Sequence, residues 1–429
     1  MGTTALSVLR QKFNEEIAGR DGWRTGTTTG AGSSTTAADT VLADKGDDFY
    51  NDTHFILLTS GTYATKIRPV SDFTSTGGIV TWTAALAGAS GSGVTYELSI
   101  FHPDDVKRCL NAAALEAFPY LRKRIIDESL ISGNWLRDPG FEDWSSTTAL
   151  YHWQAVGTAT FAQGTSIYGG RLYGSKVAIV TSVAANDGIK QSTATNDSLI
   201  DLRGHSITFR AVLAGASGDA VIRITDSDGT TTSSAVSALA TWETLSVTRT
   251  ISSTTKVVTF DAISPNNQSF YIDNARTFGK EKYDYVLPTF LINVNEVNAQ
   301  VMHEATYPCD DMSFVYPPRP IVNRRIYNDG TYRTLQILEP LIDESKLQII
   351  GSGYLSTLAA DTTTVEIDGD EVNVLIALAV SKWYQMQSGM IGSESSDRFS
   401  QLSEKWYQEY LRRRNRHCSV EPYALPRIR

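Results

Sequence analysis

Six histidines, three cysteines and a scatter of acidic pairs are the side chains here with capacity for bond-making chemistry, and their spacing argues against it. His54, His102, His152, His205, His303 and His417 form no HxxxH, HExxH or HxxE pattern, so a transition-metal hydrolase site has no support. Cys109, Cys309 and Cys418 are odd in number and make no CxxC pair, which excludes a disulfide framework or zinc ribbon and fits a reducing compartment. No GxSxG elbow is present. The glycine-rich run Gly88 to Gly93 lacks the Lys-Ser/Thr ending and following helix of a phosphate cradle. Asp226-Ser227-Asp228-Gly229 begins like a calcium loop but lacks the closing Glu, and reads as a hairpin turn. Glu142 and Asp143 are adjacent, so on a strand they face opposite ways and cannot flank one glycosidic bond. The expectation is a protein that is not an enzyme.

Two constellations suit binding. Trp144, Tyr151, Trp153, Tyr168 and Tyr173 can stack on sugar rings or pack a core, and burial of Trp144 and Trp153 would remove the sugar reading. Residues 400–429 carry seven basic side chains against three acidic ones, with Arg412, Arg413, Arg414 and Arg416 crowded together and Arg427 and Arg429 in the proline-punctuated tail. That cluster either complements a helix dipole and meets solvent, or docks on an acidic protein surface or on DNA phosphates, with the protein partner ranked first.

The elements that position these residues alternate between helix and strand textures. Leu6, Leu9, Phe13 and Ile17 recur at helical spacing before Gly19. Phe101 to Leu130 reads as one long central helix, capped at His102 and Pro103 and kinked at Pro119, with Val106, Leu110, Ala113, Ala114, Ala117, Leu121 and Ile125 on one stripe that awaits helices from the chain ends. Residues 26–100 alternate in period two between Gly, Asn, Asp and Ser turns, although their Thr/Gly-rich opening also suits a linker. Short strands continue to Phe278 at the intervals of a β-sandwich, and further strands follow. A terminal helix pair begins at a cap on Asp370 and resumes near Ser395 or Ser396.

The organisation expected is therefore α+β and multidomain: a small helical bundle from both chain ends, β modules, and an inserted antiparallel β-sandwich of jelly-roll type. Residues 1–23 form the N-terminal helix, 24–100 a small β module, 101–133 the central helix and 134–279 the insertion; 280–370 form a second β region and 371–429 a helix hairpin with a basic extended tail. A net charge of -9 opposes general coating of nucleic acid, and no run approaches a membrane span.

The inserted segment resembles the jelly-roll carbohydrate-binding modules of polysaccharide-degrading enzymes. Asp138-Pro139-Gly140-Phe141-Glu142, YGSKVAIV, Asp201-Leu202-Arg203-Gly204, Trp242 and Tyr271-Ile272-Asp273-Asn274 carry the resemblance in order. It implies a structural calcium ion on Glu142 and Asp273; the same carboxylates in metal-free hydrogen bonds are the alternative, and no cofactor is required. The remainder resembles the head-to-tail connector (adaptor) proteins of tailed bacteriophages, on VTYELSIFHPDDVKRCLNAAALEAFP and on the pair ALAVSKWYQMQSG and RFSQLSEKWYQEYLRRR. That resemblance implies a virion neck protein assembled in the host cytoplasm. It would form a homo-oligomeric, twelvefold ring between the portal and a downstream tail or nozzle protein, passing DNA without reading its sequence and meeting no membrane. The alternative is a carbohydrate-binding virion surface or tail-fibre protein that uses the jelly roll.

Overall fold

The two ends of the chain fold together: Met1–Lys123 and Tyr354–Arg429 form one unit, and Arg124–Gly353 forms a second. The computed structural model describes residues 2–19, 22–164, 176–215, 218–301, 319–328, 330, 332–341, 345–389 and 393–418. The class is α+β and multidomain, with the α-helices of the described residues in one unit and an antiparallel sandwich in the other.

In the first unit, α1 (Leu6–Ala18), α2 (Pro103–Glu116), α3 (Gly369–Ser388) and α4 (Ser393–Cys418) share one core. α1 buries Leu6, Leu9 and Phe13 and ends at Gly19, whose φ of 69° is strained for residues with a Cβ. α2 starts where His102 accepts the Asp104 N–H at 3.3 Å and Pro103 fills the first turn. Its stripe of Val106, Leu110, Ala113 and Ala117 packs with α1 and α3. α3 is buried almost all round from Val372 to Ser381, so it, and not α2, is the middle of the bundle. Asp370 lies inside its first turn instead of capping it, and α4 starts earlier than expected, at Ser393.

The long helix expected from Phe101 to Leu130 is two elements. α2 stops at Glu116, just ahead of Pro119, which has no N–H to give a continuing helix. Lys123–Ile131 is a strand with Ile125, Asp127 and Ser129 buried at alternate positions. Leu121 stays with the helices, while Ile125 joins a core of the second unit. The β module between α1 and α2 is a four-stranded sheet, ordered Trp23–Thr27, Thr95–Ser99, Phe55–Leu58, Ile67–Pro69, and a three-stranded sheet of Thr36–Ala38, Ile79–Thr81 and Asp72–Thr74. Tyr50, Phe73, Trp82 and Tyr96 fill the module, so its opening is folded chain and not a linker.

The sandwich of the second unit has strands β1 (Gln154–Val156), β2 (Thr160–Gly164), β3 (Val177–Thr181), β4 (Asp187–Ser192), β5 (Ser206–Ala214), β6 (Val221–Asp226), β7 (Gly229–Thr232), β8 (Glu243–Thr250), β9 (Thr259–Ser264) and β10 (Phe270–Phe278). They form two five-stranded antiparallel sheets, ordered β1-β4-β9-β6-β7 and β2-β3-β10-β5-β8. Alternation decides which residues meet inside: Ile207, Phe209, Ala211 and Leu213 of β5 face Ile222, Ile224 and Phe260 of the other sheet in one core. Asp226-Ser227-Asp228-Gly229 is the β6–β7 turn, Asp226 pairing with Gly229. A second core, with Tyr285, Leu335, Leu347 and Ile349, holds the strands that follow β10. No helix among the described residues is long and apolar enough to cross a membrane.

Candidate functional site

Of the two alternatives for Trp144 and Trp153, stacking on a sugar or packing a core, the structure has the second, which removes sugar recognition through these rings. Trp153 is 4% exposed, stacks on Phe141 at 4.8 Å and donates Nε1–H to the Asp138 carbonyl at 3.0 Å. Trp144 is half-buried against the same core, its indole N–H on the Phe141 carbonyl at 2.6 Å. Both rings are committed to packing because the turn from Asp138 to Glu142 folds back beneath them. Tyr151 is exposed, while Tyr168 and Tyr173 lie outside the described residues.

Glu142 and Asp273 are buried and accept N–H groups of the chain itself. Glu142 Oε1 accepts the Lys176 N–H at 2.7 Å, the Lys176 ammonium donates to the Glu142 carbonyl at 2.9 Å, and Asp273 Oδ1 accepts the Asn274 N–H at 2.7 Å. Calcium takes six to eight oxygens. Among the described residues no set of three metal-ligating side chains converges, and a lysine ammonium already holds an oxygen of Glu142. The bonds from the Lys176 and Asn274 N–H groups are of the kind the metal-free alternative implies. Addition of a chelator to the full chain is therefore expected to leave the melting temperature unchanged. Lys176→Met, which strands a carbonyl, is expected to cost about 1–3 kcal/mol by chemical denaturation.

The other acidic neighbour, Asp143, accepts His152 Nε2–H at 3.3 Å and the Thr289 hydroxyl at 2.6 Å. Burial pushes its pKa up, but these bonds outweigh burial and hold it below the usual carboxylate range. The pair could orient a proton at His152, whose imidazole is 4% exposed and whose Nδ1 is buried without a partner among the described residues. Of the arginine cluster, Arg413 bonds Glu409, Glu16 and the Asn373 carbonyl, and Arg414 lies 4.2 Å from the centre of the Tyr120 ring. Those two fasten α4 to its own unit. Arg412 pairs with Glu409 but is exposed, as is Arg416, whereas Arg427 and Arg429 lie outside the described residues.

One surface is not visible in any single motif. On the outer face of the β1-β4-β9-β6-β7 sheet, register aligns Gln154, Lys190, Asp261, Arg223 and Thr232 in one row across all five strands. A hydroxyl row, Ser192, Thr259, Thr225 and Thr230, lies on one side, and an apolar row, Val156, Gly188, Ile263 and Val221, on the other. Val221 and Ile263 are buried yet belong to none of the hydrophobic cores. In the central row, Arg223 Nε and Nη2 bind the two oxygens of Asp261, each at 2.8 Å. Pairing raises the arginine's pKa, and burial raises that of Asp261 despite the pairing.

No protein-family model and no curated protein matches this chain. Solved structures similar to it include the C-terminal family 22 carbohydrate-binding module of Clostridium thermocellum Xyn10B, at 20% identity over 34% of this chain and 95% of that one, TM-score 0.26. The CBM22-1 xylan-binding domain of Paenibacillus barcinonensis Xyn10C is similar at 14% identity over 36% of this chain and 96% of that one, TM-score 0.26. The enzymatically active domain of tailspike protein 4 from bacteriophage CBA120 is similar at 13% identity, 36% of this chain and 21% of that one, TM-score 0.25.

The charged and hydroxyl rows of this face offer hydrogen-bond donors and acceptors that the hydroxyls of a pyranose chain can use. The row geometry depends on Gly188. A Cβ there would sit 2.0 Å from the Ala262 carbonyl oxygen. Gly188→Ala is therefore expected to destabilise the sandwich by roughly 1–3 kcal/mol in urea unfolding, as overpacking does.

Proposed function

We propose that the sandwich binds a polysaccharide chain on the outer face of the β1-β4-β9-β6-β7 sheet, as the non-catalytic recognition element of a virion surface or tail-fibre protein. The helical unit is then the anchor. The observation that carries this reading is the alignment of a charged row and a hydroxyl row across one sheet face. Carboxylates that could act in hydrolysis are instead held by Lys176, His152 and Thr289, which supports binding without cleavage. The test is affinity electrophoresis of the full chain through gels containing soluble polysaccharides. Retardation by at least one polysaccharide, without release of reducing ends, is expected; unretarded migration in every gel overturns the reading.

A second reading rests on a different observation. Both chain ends build one helical unit around α3, with the second unit spliced between them, and α4 shows much polar, exposed surface. That arrangement supports a head-to-tail adaptor, forming a twelvefold ring with the portal on one side and a tail or nozzle protein on the other. Negative-stain images of the chain mixed with its portal test it: rings stacked on portals are expected, and monomers throughout would refute it.

A further inference from the structure

We infer that the polysaccharide taken by this face is anionic, a chain bearing uronic acids whose carboxylate meets Lys190 and Arg223; the inference rests on the polysaccharide-binding reading above. It begins with what the face lacks. Its three rows contain no aromatic residue, and the tryptophans nearest in sequence, Trp144 and Trp153, are spent on the core. A neutral pyranose chain therefore finds no ring on these rows to stack against, and its recognition would rest on hydrogen bonds that water contests.

What the face supplies instead is cationic. Arg223 gives Nε and Nη2 to Asp261, and no described residue accepts from its Nη1. Lys190 makes no ion pair or hydrogen bond with any described residue, although its charge is felt at Asp261. Asp261 is 4% exposed, so it is screened from a ligand by the two long side chains beside it. The Arg223–Asp261 pair cancels, leaving the row a net positive charge on a chain of net charge -9. Lys190 and Arg223 lie two strand spacings apart, about 10 Å between Cα atoms, so both side chains can reach one carboxylate held above Asp261. Charge complementarity on a partly desolvated floor favours that carboxylate over a neutral hydroxymethyl group.

The experiment compares polygalacturonate, its carboxyl-reduced neutral form, and unsubstituted xylan as ligands of the full chain, in affinity gels at low and high salt. Polygalacturonate is expected to be bound at least about tenfold more tightly than either neutral polymer, with the preference fading at about 0.5 M NaCl as charges are screened. Lys190→Gln is expected to lower polygalacturonate affinity about tenfold while leaving the melting temperature unchanged. Equal affinity for polygalacturonate and its carboxyl-reduced form, or an unaltered Lys190→Gln variant, overturns the anionic ligand and leaves the polysaccharide reading standing. Absence of binding to all three polymers and to every other polysaccharide tried overturns that reading itself.

Discussion

Arg10→Ala is expected to lose about 3–5 kcal/mol of stability in the helical unit, a large effect for a residue that the helical pattern places on α1 without assigning it any role. Arg10 is 3% exposed and binds Glu97 through Nε and Nη2, each at 2.9 Å, with Nη1 on Asp361 at 2.6 Å. Burial works against the guanidinium's charge, but the bonds to Glu97 and Asp361 outweigh it and raise the pKa. Glu97 is 3% exposed, so removing its partner leaves a carboxylate buried and uncompensated. The double variant Arg10→Met, Glu97→Leu is expected to recover most of the loss, because both charges then leave together. Urea unfolding of the single and double variants measures the difference; equal losses in both would show that packing, and not the stranded charge, dominates.

The second unit is expected to be more stable at pH 5 than at pH 8, and Asp127→Asn to abolish much of that slope. Burial pushes the Asp127 carboxyl up to about 7, against the Ser129 hydroxyl bond, and pushes Asp138 up to about 8, against the N–H groups of Glu142 and Asp143. A carboxyl raised above its unfolded value of about 3.9 binds its proton more tightly in the native state, so its contribution is fully present below that value. It is then lost as pH rises through about 7 for Asp127 and about 8 for Asp138. At about 1.4 kcal/mol per unit, the Asp127 shift alone is worth roughly 4 kcal/mol. Asp187 and Asp226 act in the opposite sense. Each is lowered to about 2, by the Thr158 hydroxyl and by Arg249 respectively, so their contribution is present above the unfolded value and lost as pH falls towards 2. Stability should therefore peak near pH 4–5. Denaturant titrations at several pH values test this, and a flat profile in the parent chain would remove the argument.

Elements whose signal is local are legible in the amino-acid pattern alone. Leu6, Leu9 and Phe13 could form only one helical face, and the alternation through SITFRAVLA and AVIRITD could bury only one side of each strand. The pattern also places a helix start at His102 and Pro103, since a cap acts on the turn beside it. Periodicity failed where two periods compete. Leu121 and Ile125 continue the α2 stripe on paper, yet Lys123–Ile131 is paired as a strand because Ser345–Gly353 supplies its ladder from more than 200 residues away. The folded chain was needed to learn that Trp153 packs inside, that Arg10 meets Glu97 across 87 residues, and that Lys190, Asp261 and Arg223 stand side by side. Each strand shows that its charged residue points away from the core, but which residues become neighbours depends on pairing register. That register is set by closing the whole sandwich, and no single strand contains it.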